Sequence, residues 1–228
     1  AFIYYHTKFG GKHMKISPTL TEVKEIAKTG KYDILPVSCE ILSDFITPIE
    51  AMRILQNVST HCYLLESAQA NEAWGRYTFL GYEPKLEINW IDGHMKLGKL
   101  SVETENPSEY IRQILSEYKS PKFDYLPSFT GGLVGYFSYD YLGYKEKSIR
   151  GKARDTEDFK DVDLMLFDKV IAFDNLCQKI ILIANMSLDA PETGYNKAIV
   201  ELKQLRELLM HGEKKHNMGG KMLGEVTP

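Results

Sequence analysis

The chain has 228 residues, of which 43% are hydrophobic and 26% charged, and its formal net charge is −3. This composition is that of an ordinary soluble globular protein with one large domain or two small ones. The mild negative charge argues against a nucleic-acid-binding protein, and no apolar run approaches the roughly 18–20 residues that span a membrane. Because the N-terminus also lacks the pattern of a signal peptide, we expect a cytoplasmic location and neither a nucleic-acid nor a membrane partner.

The two ends of the chain differ in pattern from its centre. Residues 1–13, AFIYYHTKFGGKH, precede the first methionine, Met14, and show no clear periodicity. We interpret them as an extension outside the fold, with an N-terminal strand, FIYYH, as the alternative. Residues 14–212 are predicted to form one domain. Residues 213–228 are polar and Gly-rich, which predicts a linker. They end on a helix-start signature with no helix after it, so we expect that the chain is cut there.

Four helices are predicted from their start signals and apolar stripes. Thr19–Glu22 is a capping box, and Gly30 is the expected stop of the helix that follows it. Thr47–Glu50 repeats the pattern with a proline at the first helical position. Asn106–Glu109 opens a third helix, and the last helix is predicted at about Glu192–Met210.

The predicted strands come as hairpins. Lys85–Trp90 and His94–Leu100 flank Asp92-Gly93, a strong turn signal, and a second hairpin is predicted from Leu164–Asp174 and Lys179–Asn185. Strands joined in this way favour antiparallel sheets over repeated strand–helix units. The predicted fold class is therefore α+β, with antiparallel sheets in a sandwich-like core flanked by helices.

Several motifs invite a catalytic or metal-binding interpretation that their details do not support. The segment GGLVGYFSYDYLG, residues 131–143, has neither the lysine nor the spacing of a phosphate loop, so its glycines indicate bulges or close backbone approach. Asp161 and Asp163 precede an apolar strand and are interpreted as solvent-exposed carboxylates at the start of that strand, a solvated strand entry. No complete catalytic set is visible, and we predict no catalytic residue in this chain.

The cysteines and histidines are also poor candidates for a metal site. The three cysteines are widely spaced without a C-x-x-C pattern, and we expect reduced, buried thiols; they are Cys39, Cys62 and Cys177. His211 and His216 are five residues apart, which is the wrong spacing for two ligands on one helical face. We therefore predict no metal site here.

The most unusual stretch is CYLLESAQANEAWGRYTFLGYEP, residues 62–84. An apolar strand stops there on Glu66 and Ser67. On periodicity alone these two residues are a capping serine and a solvated glutamate at a strand end. The functional alternative is that these two polar residues bind a ligand that has an ammonium group and an aromatic group. The apolar surface of such a site would come from Leu64, Leu65 and Tyr77.

Five segments carry a resemblance to a known family. In chain order they are SPTLTEVKEIAKTGKYDILPVSCEI, TPIEAMRIL, YLLESAQANEAWGRYTFLGYEP, GGLVGYFSYDYLGY and DVDLMLFDKVIAFDN. Together they resemble the N-terminal domain of anthranilate synthase component I, from about Ser17 to Gly212. The segments around LLES and GGLVGYFSYD are the most specific of the five. Gly131, Gly132 and Asp140 match the second of these and are interpreted as architectural.

The resemblance implies a lyase of tryptophan biosynthesis. Full-length members convert chorismate to anthranilate and pyruvate with Mg²⁺ and ammonia, which a glutamine amidotransferase subunit, component II, supplies from glutamine. The chorismate and Mg²⁺ sites belong to a C-terminal chorismate-binding domain, so the resemblance implies that neither site is in this chain. As an N-terminal fragment, the chain should be inactive alone and should pack against that domain.

The resemblance also implies a feedback site for L-tryptophan. Ser67 matches a tryptophan-contacting serine of the family, and Glu66 lies beside it. Arg76 is a third candidate: it could pair with the tryptophan carboxylate or with Glu66, or it could be a surface arginine. Two alternatives to the whole assignment stay open, namely the large subunit of aminodeoxychorismate synthase and a stand-alone tryptophan-binding module.

Overall fold

The computed structural model describes residues 14–66, 75–145 and 159–214. The helices in these ranges are α1 (Leu20–Lys28), α2 (Pro48–Val58), α3 (Pro107–Ser116), α4 (Leu142–Lys145) and α5 (Pro191–His211). The strands are β1 (Ile16–Ser17), β2 (Ile34–Leu42), β3 (Cys62–Leu65), β4 (Tyr77–Tyr82), β5 (Leu86–Ile91), β6 (His94–Leu97), β7 (Leu100–Glu103), β8 (Gly132–Phe137), β9 (Val162–Phe167), β10 (Lys169–Asp174) and β11 (Lys179–Ser187). The predicted extension at residues 1–13, and all but the first two residues of the predicted linker, lie outside the described residues.

The strands form two antiparallel sheets. Sheet A has the order β1-β2-β11-β10-β4-β3, and sheet B has the order β7-β6-β5-β9-β8. Every strand pair in them is antiparallel. The predicted α+β class with antiparallel sheets and flanking helices is therefore confirmed.

Local signals at the helix starts are confirmed. The backbone N–H of Thr19 donates to Glu22 Oε2 at 2.7 Å, and the backbone N–H of Glu22 donates to Thr19 Oγ1 at 3.4 Å. Thr47 and Glu50 form the same reciprocal pair at 3.1 and 3.3 Å. Gly30 follows the end of α1 with a φ of +62°, a conformation that favours glycine. Helices α1 and α2 therefore each start at a threonine whose side chain accepts from a backbone N–H group of the first turn.

One strand prediction was wrong, because Leu164–Asp174 is not a single strand. The chain leaves sheet B at the end of β9, passes through Asp168 and enters sheet A as β10. The backbone carbonyl of Asp168 accepts hydrogen bonds from the backbone N–H of Asn185 at 2.8 Å and from its side chain at 3.0 Å. Both strands are apolar, so periodicity gave no sign that the chain changes sheets within the run.

The buried side chains form three clusters. The largest lies between sheet A and helices α1, α2 and α5, and its fully buried members include Val23, Leu35, Leu55, Leu182 and Leu202. A second packs sheet B against α3 and α4, with Ile88, Trp90, Ile111, Val162 and Leu164. The third covers the other face of sheet A with Leu126 and the partly buried Phe123 and Phe129. Sheet A is thus covered on both faces.

The glycine-rich strand β8 confirms the predicted close backbone approach. A Cβ placed on Gly135 would lie 2.0 Å from the carbonyl oxygen of Asp163 on the neighbouring strand β9. Gly135 has a φ of +154°, and Gly132 in the same strand has a φ of +134°. Only glycine fits position 135 without displacing β9.

The prediction of a solvated strand entry was wrong for Asp161, which is only 7% exposed. Its Oδ1 accepts from Ser138 Oγ at 3.1 Å, and its Oδ2 accepts from the Tyr144 hydroxyl at 3.1 Å. The Tyr144 hydroxyl also lies 2.8 Å from Asp92 Oδ1. Burial first, and then these hydrogen bonds, raises the pKa of Tyr144. The error arose because the groups that cover Asp161 come from distant parts of the sequence.

Candidate functional site

The strand end that precedes the predicted ligand-binding residues Glu66 and Ser67 lies at one edge of sheet A. Strand β3 is the edge strand, and it ends at Leu65, which pairs with Phe79 of β4. Glu66 follows directly and is exposed. Ser67, the second predicted ligand-binding residue, lies outside the described residues. The abrupt change from an apolar strand to a solvent-exposed carboxylate is therefore present in the fold.

The side chains predicted to supply apolar surface to the ligand, Leu64, Leu65 and Tyr77, lie on opposite faces of the sheet. Leu64 pairs with Leu80 and packs into the cluster beneath the helices. Tyr77 packs into the cluster on the other face, together with Phe79, the partner of Leu65. The expectation that Leu64, Leu65 and Tyr77 line one surface was wrong for Leu64, because successive side chains of a strand point to opposite faces. Leu65 and Tyr77 share the face away from the helices.

Arg76 forms an ion pair that the sequence did not reveal. Its Nη2 donates to Asp174 Oδ2 at 2.8 Å, and its Nε donates to Asp174 Oδ1 at 3.2 Å. The Asp174 side chain is fully buried, whereas that of Arg76 is 35% exposed. The structure thus shows Arg76 paired with Asp174, rather than with Glu66 or as an unengaged surface arginine.

The Asp174 carboxylate also organises the turn between β10 and β11. Its Oδ1 accepts from the backbone N–H groups of Leu176 at 3.2 Å and of Cys177 at 3.0 Å. Burial alone would raise the pKa of Asp174, but the hydrogen bonds from Arg76 and Cys177 outweigh burial and lower it below its ordinary value of 3.8. The pair is therefore charged near neutral pH.

This lowered pKa predicts a pH-dependent contribution to stability. A carboxyl group whose pKa is lower in the folded state stabilises the fold above its unfolded pKa and loses that effect as pH falls through the folded pKa. We expect the difference in unfolding free energy between the wild type and Asp174→Asn to be constant from pH 7 down to about 5 and to shrink below that. Urea unfolding at several pH values measures it. A difference that grows on acidification would contradict the assigned charge state.

A buried tyrosine lies on the same face as Leu65. Tyr63 is 8% exposed and packs edge-to-face on Phe167 and Phe129, with ring centroids 4.7 and 6.4 Å away. Its hydroxyl oxygen is buried, and in the part of the chain that the structure describes it has no hydrogen-bond partner. Burial raises its pKa, so the phenol is neutral. A Cβ on Gly81 would lie 2.2 Å from this ring, which explains the glycine opposite it.

A groove of about 400 Å³ lies elsewhere, beside α1. Its walls include Pro18, Ile26 and the stacked rings of Phe123 and Tyr125, whose centroids are 5.1 Å apart. Burial first, and then Glu22, raises the pKa of Tyr125 to about 12. No candidate residue from the sequence lies in this groove.

Residues 14–66, 75–145 and 159–214 contain no group of three His, Cys, Asp or Glu side chains that could hold a metal ion. In the same ranges no helix is long and apolar enough to cross a membrane. Among the cysteines, Cys39 is buried, Cys62 is intermediate and Cys177 is exposed. The expectation of buried thiols is therefore wrong for Cys177, which lies in the turn that Asp174 organises.

Sequence comparison identifies relatives of this chain. It is 34% identical over 198 residues to anthranilate synthase component 1 of Acetivibrio thermocellus, covering 84% of this chain and 39% of that protein. It is 36% identical over 186 residues to anthranilate synthase component 1 of Pseudomonas aeruginosa, covering 78% of this chain and 37% of that protein. No protein-family model matches the chain.

Among solved structures, anthranilate synthase component I from Streptococcus pneumoniae aligns with 73% of this chain and 36% of that chain, with a TM-score of 0.48 and 25% identity. The chain spans less than two fifths of the length of these two relatives from Acetivibrio thermocellus and Pseudomonas aeruginosa. The sequence identities hold over about four fifths of the chain, as the resemblance of the five segments predicted. Over the part of those proteins that it matches, the chain is a relative of anthranilate synthase component I.

Proposed function

We infer that this chain is the N-terminal, tryptophan-sensing part of an anthranilate synthase component I. In this proposal the complete enzyme converts chorismate and ammonia to anthranilate and pyruvate. The catalytic work falls to the C-terminal chorismate-binding domain, and this chain alone is inactive. The single observation that carries the proposal is the sequence identity of 34–36% to proteins of that name.

The strand end at Glu66 supports the choice of tryptophan as the regulatory ligand. An exposed carboxylate follows β3 directly, and the face of sheet A that holds Leu65 and Tyr77 offers apolar and aromatic surface nearby. Tryptophan combines an ammonium group with an indole, so an acid, a hydroxyl and apolar side chains complement its chemistry. In the proposed site Glu66 accepts from the ammonium group, and Ser67 donates to the ligand or accepts from it.

The proposal extends to the partners and the metal of the complete enzyme. A glutamine amidotransferase subunit would supply ammonia, as the name component 1 of the relatives suggests. The Mg²⁺ ion would bind in the chorismate-binding domain.

A chimeric enzyme tests the proposal. The 228-residue chain replaces the region that it matches in the Pseudomonas aeruginosa relative, and anthranilate is measured by its fluorescence with chorismate, Mg²⁺ and ammonia. We expect an active chimera that tryptophan inhibits. An active chimera that is insensitive to tryptophan would contradict the regulatory role, and a folded but inactive chimera would contradict the correspondence of the two regions.

A further inference from the structure

Strand β8 forms one edge of sheet B, and its outer side can accept a further strand. Within residues 14–66, 75–145 and 159–214, β9 is the only strand that pairs with β8. The backbone N–H of Ser138 donates to the carbonyl of Asp161 at 2.8 Å, so these two residues face each other as a hydrogen-bonded pair. Such pairs alternate along an antiparallel ladder, so Leu133, Gly135 and Phe137 direct their backbone N–H and C=O groups away from β9.

This edge lacks the features that usually keep an exposed strand from pairing with another one. Edge strands are commonly protected by short length, charged side chains or proline. Among the edge strands of the described fold, β1 has two residues, β3 has four and is followed by the exposed Glu66, and β7 carries the exposed Glu103. Strand β8, in contrast, has six residues, and none of them is charged or a proline. An edge of this kind is expected to be covered in the complete enzyme.

The side chains beside the outer edge of β8 are apolar or aromatic on both faces of the sheet. On the face toward α3 and α4, Leu133 packs against the second cluster, and the ring of Phe137 lies 5.2 Å from that of Tyr141. Phe137 is nevertheless 50% exposed. Tyr136 points to the opposite face and is 40% exposed. A strand with apolar side chains beside β8 would bury both of these rings, which is favourable.

We propose that the outer edge of β8 binds a strand of the chorismate-binding domain, so that sheet B continues across the boundary between the two parts of the enzyme. This inference rests on the proposed function. The lengths of the relatives favour this occupant, because more than three fifths of each of them lies outside the region that matches this chain. A strand of the same polypeptide would also cover the uncharged edge at all times, whereas a separate partner would leave it exposed after dissociation.

Amide hydrogen exchange tests the inference on the 228-residue chain and on the chimera, with mass spectrometry that resolves single residues. In the chain alone, the outward N–H groups of Leu133, Gly135 and Phe137 should exchange fast. The N–H groups of Val134 and Tyr136 should exchange slowly, because they point toward β9. In the chimera the outward groups should slow by about 100-fold or more, so the alternation along β8 should disappear. The two inward groups of the same strand are the internal control.

Phe137→Lys and its matched control Leu100→Lys test whether the edge itself makes the contact. A lysine at position 137 places a charge against the covering strand, so fast exchange should return at Leu133 and Gly135 in the chimera. The inward N–H groups should stay slow, because β8 remains paired with β9. Leu100 is an exposed leucine of β7, at the opposite edge of sheet B, and its substitution should leave exchange along β8 unchanged.

The following results would overturn the inference. An active chimera whose outward N–H groups still exchange fast would show that no strand covers this edge, and the proposed function would stand. Outward groups that are slow in a concentrated solution of the 228-residue chain and fast after dilution would assign the edge to a second copy of this chain. Equal effects of Phe137→Lys and Leu100→Lys would mean that a charge at either edge of sheet B suffices. A folded but inactive chimera would contradict the proposed function and this inference with it.

Discussion

Gly135→Ala is expected to destabilise the chain by about 3 kcal/mol or more, which is a large fraction of the stability of a typical domain. The added Cβ would lie 2.0 Å from the carbonyl oxygen of Asp163 and 2.8 Å from the Cα of Leu164. Both neighbours are backbone atoms of β9, so no side chain can rotate away to relieve the overlap. Strand β8 must instead move from β9 and lose hydrogen bonds on both sides of position 135.

Gly132→Ala is the matched control for this prediction. Gly132 lies in the same strand with a comparable φ of +134°, but the nearest atom to its added Cβ is a side-chain carbon of Phe129 at 3.9 Å. It should therefore show only the cost of placing a side chain on an unfavourable backbone, about 1–3 kcal/mol. Urea unfolding of both variants measures the difference. Equal unfolding free energies would mean that the strands are not packed as closely as the structure has them.

Replacing Ser67 by phenylalanine should relieve tryptophan inhibition of the chimera while leaving its uninhibited turnover largely intact. In the proposed site the serine hydroxyl contacts the amino-acid end of tryptophan, and a bulky ring would remove that hydrogen bond and occupy its space. Loss of one charge-assisted hydrogen bond costs about 1.5–3 kcal/mol, so the inhibition constant should rise about tenfold or more. Anthranilate formation across a tryptophan series measures it.

Ser101→Phe serves as its control, since Ser101 is an exposed serine on β7, at the far edge of sheet B. The same change of side chain there should leave the inhibition constant unchanged. Equal loss of activity from Ser67→Phe with and without tryptophan would show that Ser67 supports the fold rather than the ligand.

Features set by short-range interactions could be predicted from the sequence. The capping boxes at Thr19 and Thr47 involve residues three positions apart, so the sequence contains everything that determines them. The turn at Asp92 and Gly93 is equally local, with φ values of +45° and +83°. The ordered segments around LLES and GGLVGYFSYD were sufficient to identify the relatives, because short ordered motifs can be read directly along the chain.

Features set by long-range packing could not be predicted in this way. Asp168 marks a change of sheet between two apolar strands, and the charged residues Asp168 and Lys169 that separate them did not show that the strands belong to different sheets. The burial of Asp161 depends on groups up to 69 residues away, and the partner of Arg76 is 98 residues away. Among the site residues, the sequence predicted that the strand ends before Glu66, but it did not reveal that Asp174 is the partner of Arg76. The local sequence showed only an aspartate followed by a turn.

Equilibrium dialysis of radiolabelled tryptophan against the chimera and its Ser67→Phe variant tests the central claim most directly. The account predicts saturable binding to the chimera and binding weaker by about tenfold or more in the variant. Equal binding by the two proteins would contradict it, because tryptophan would then be held without the strand end that carries Glu66 and Ser67.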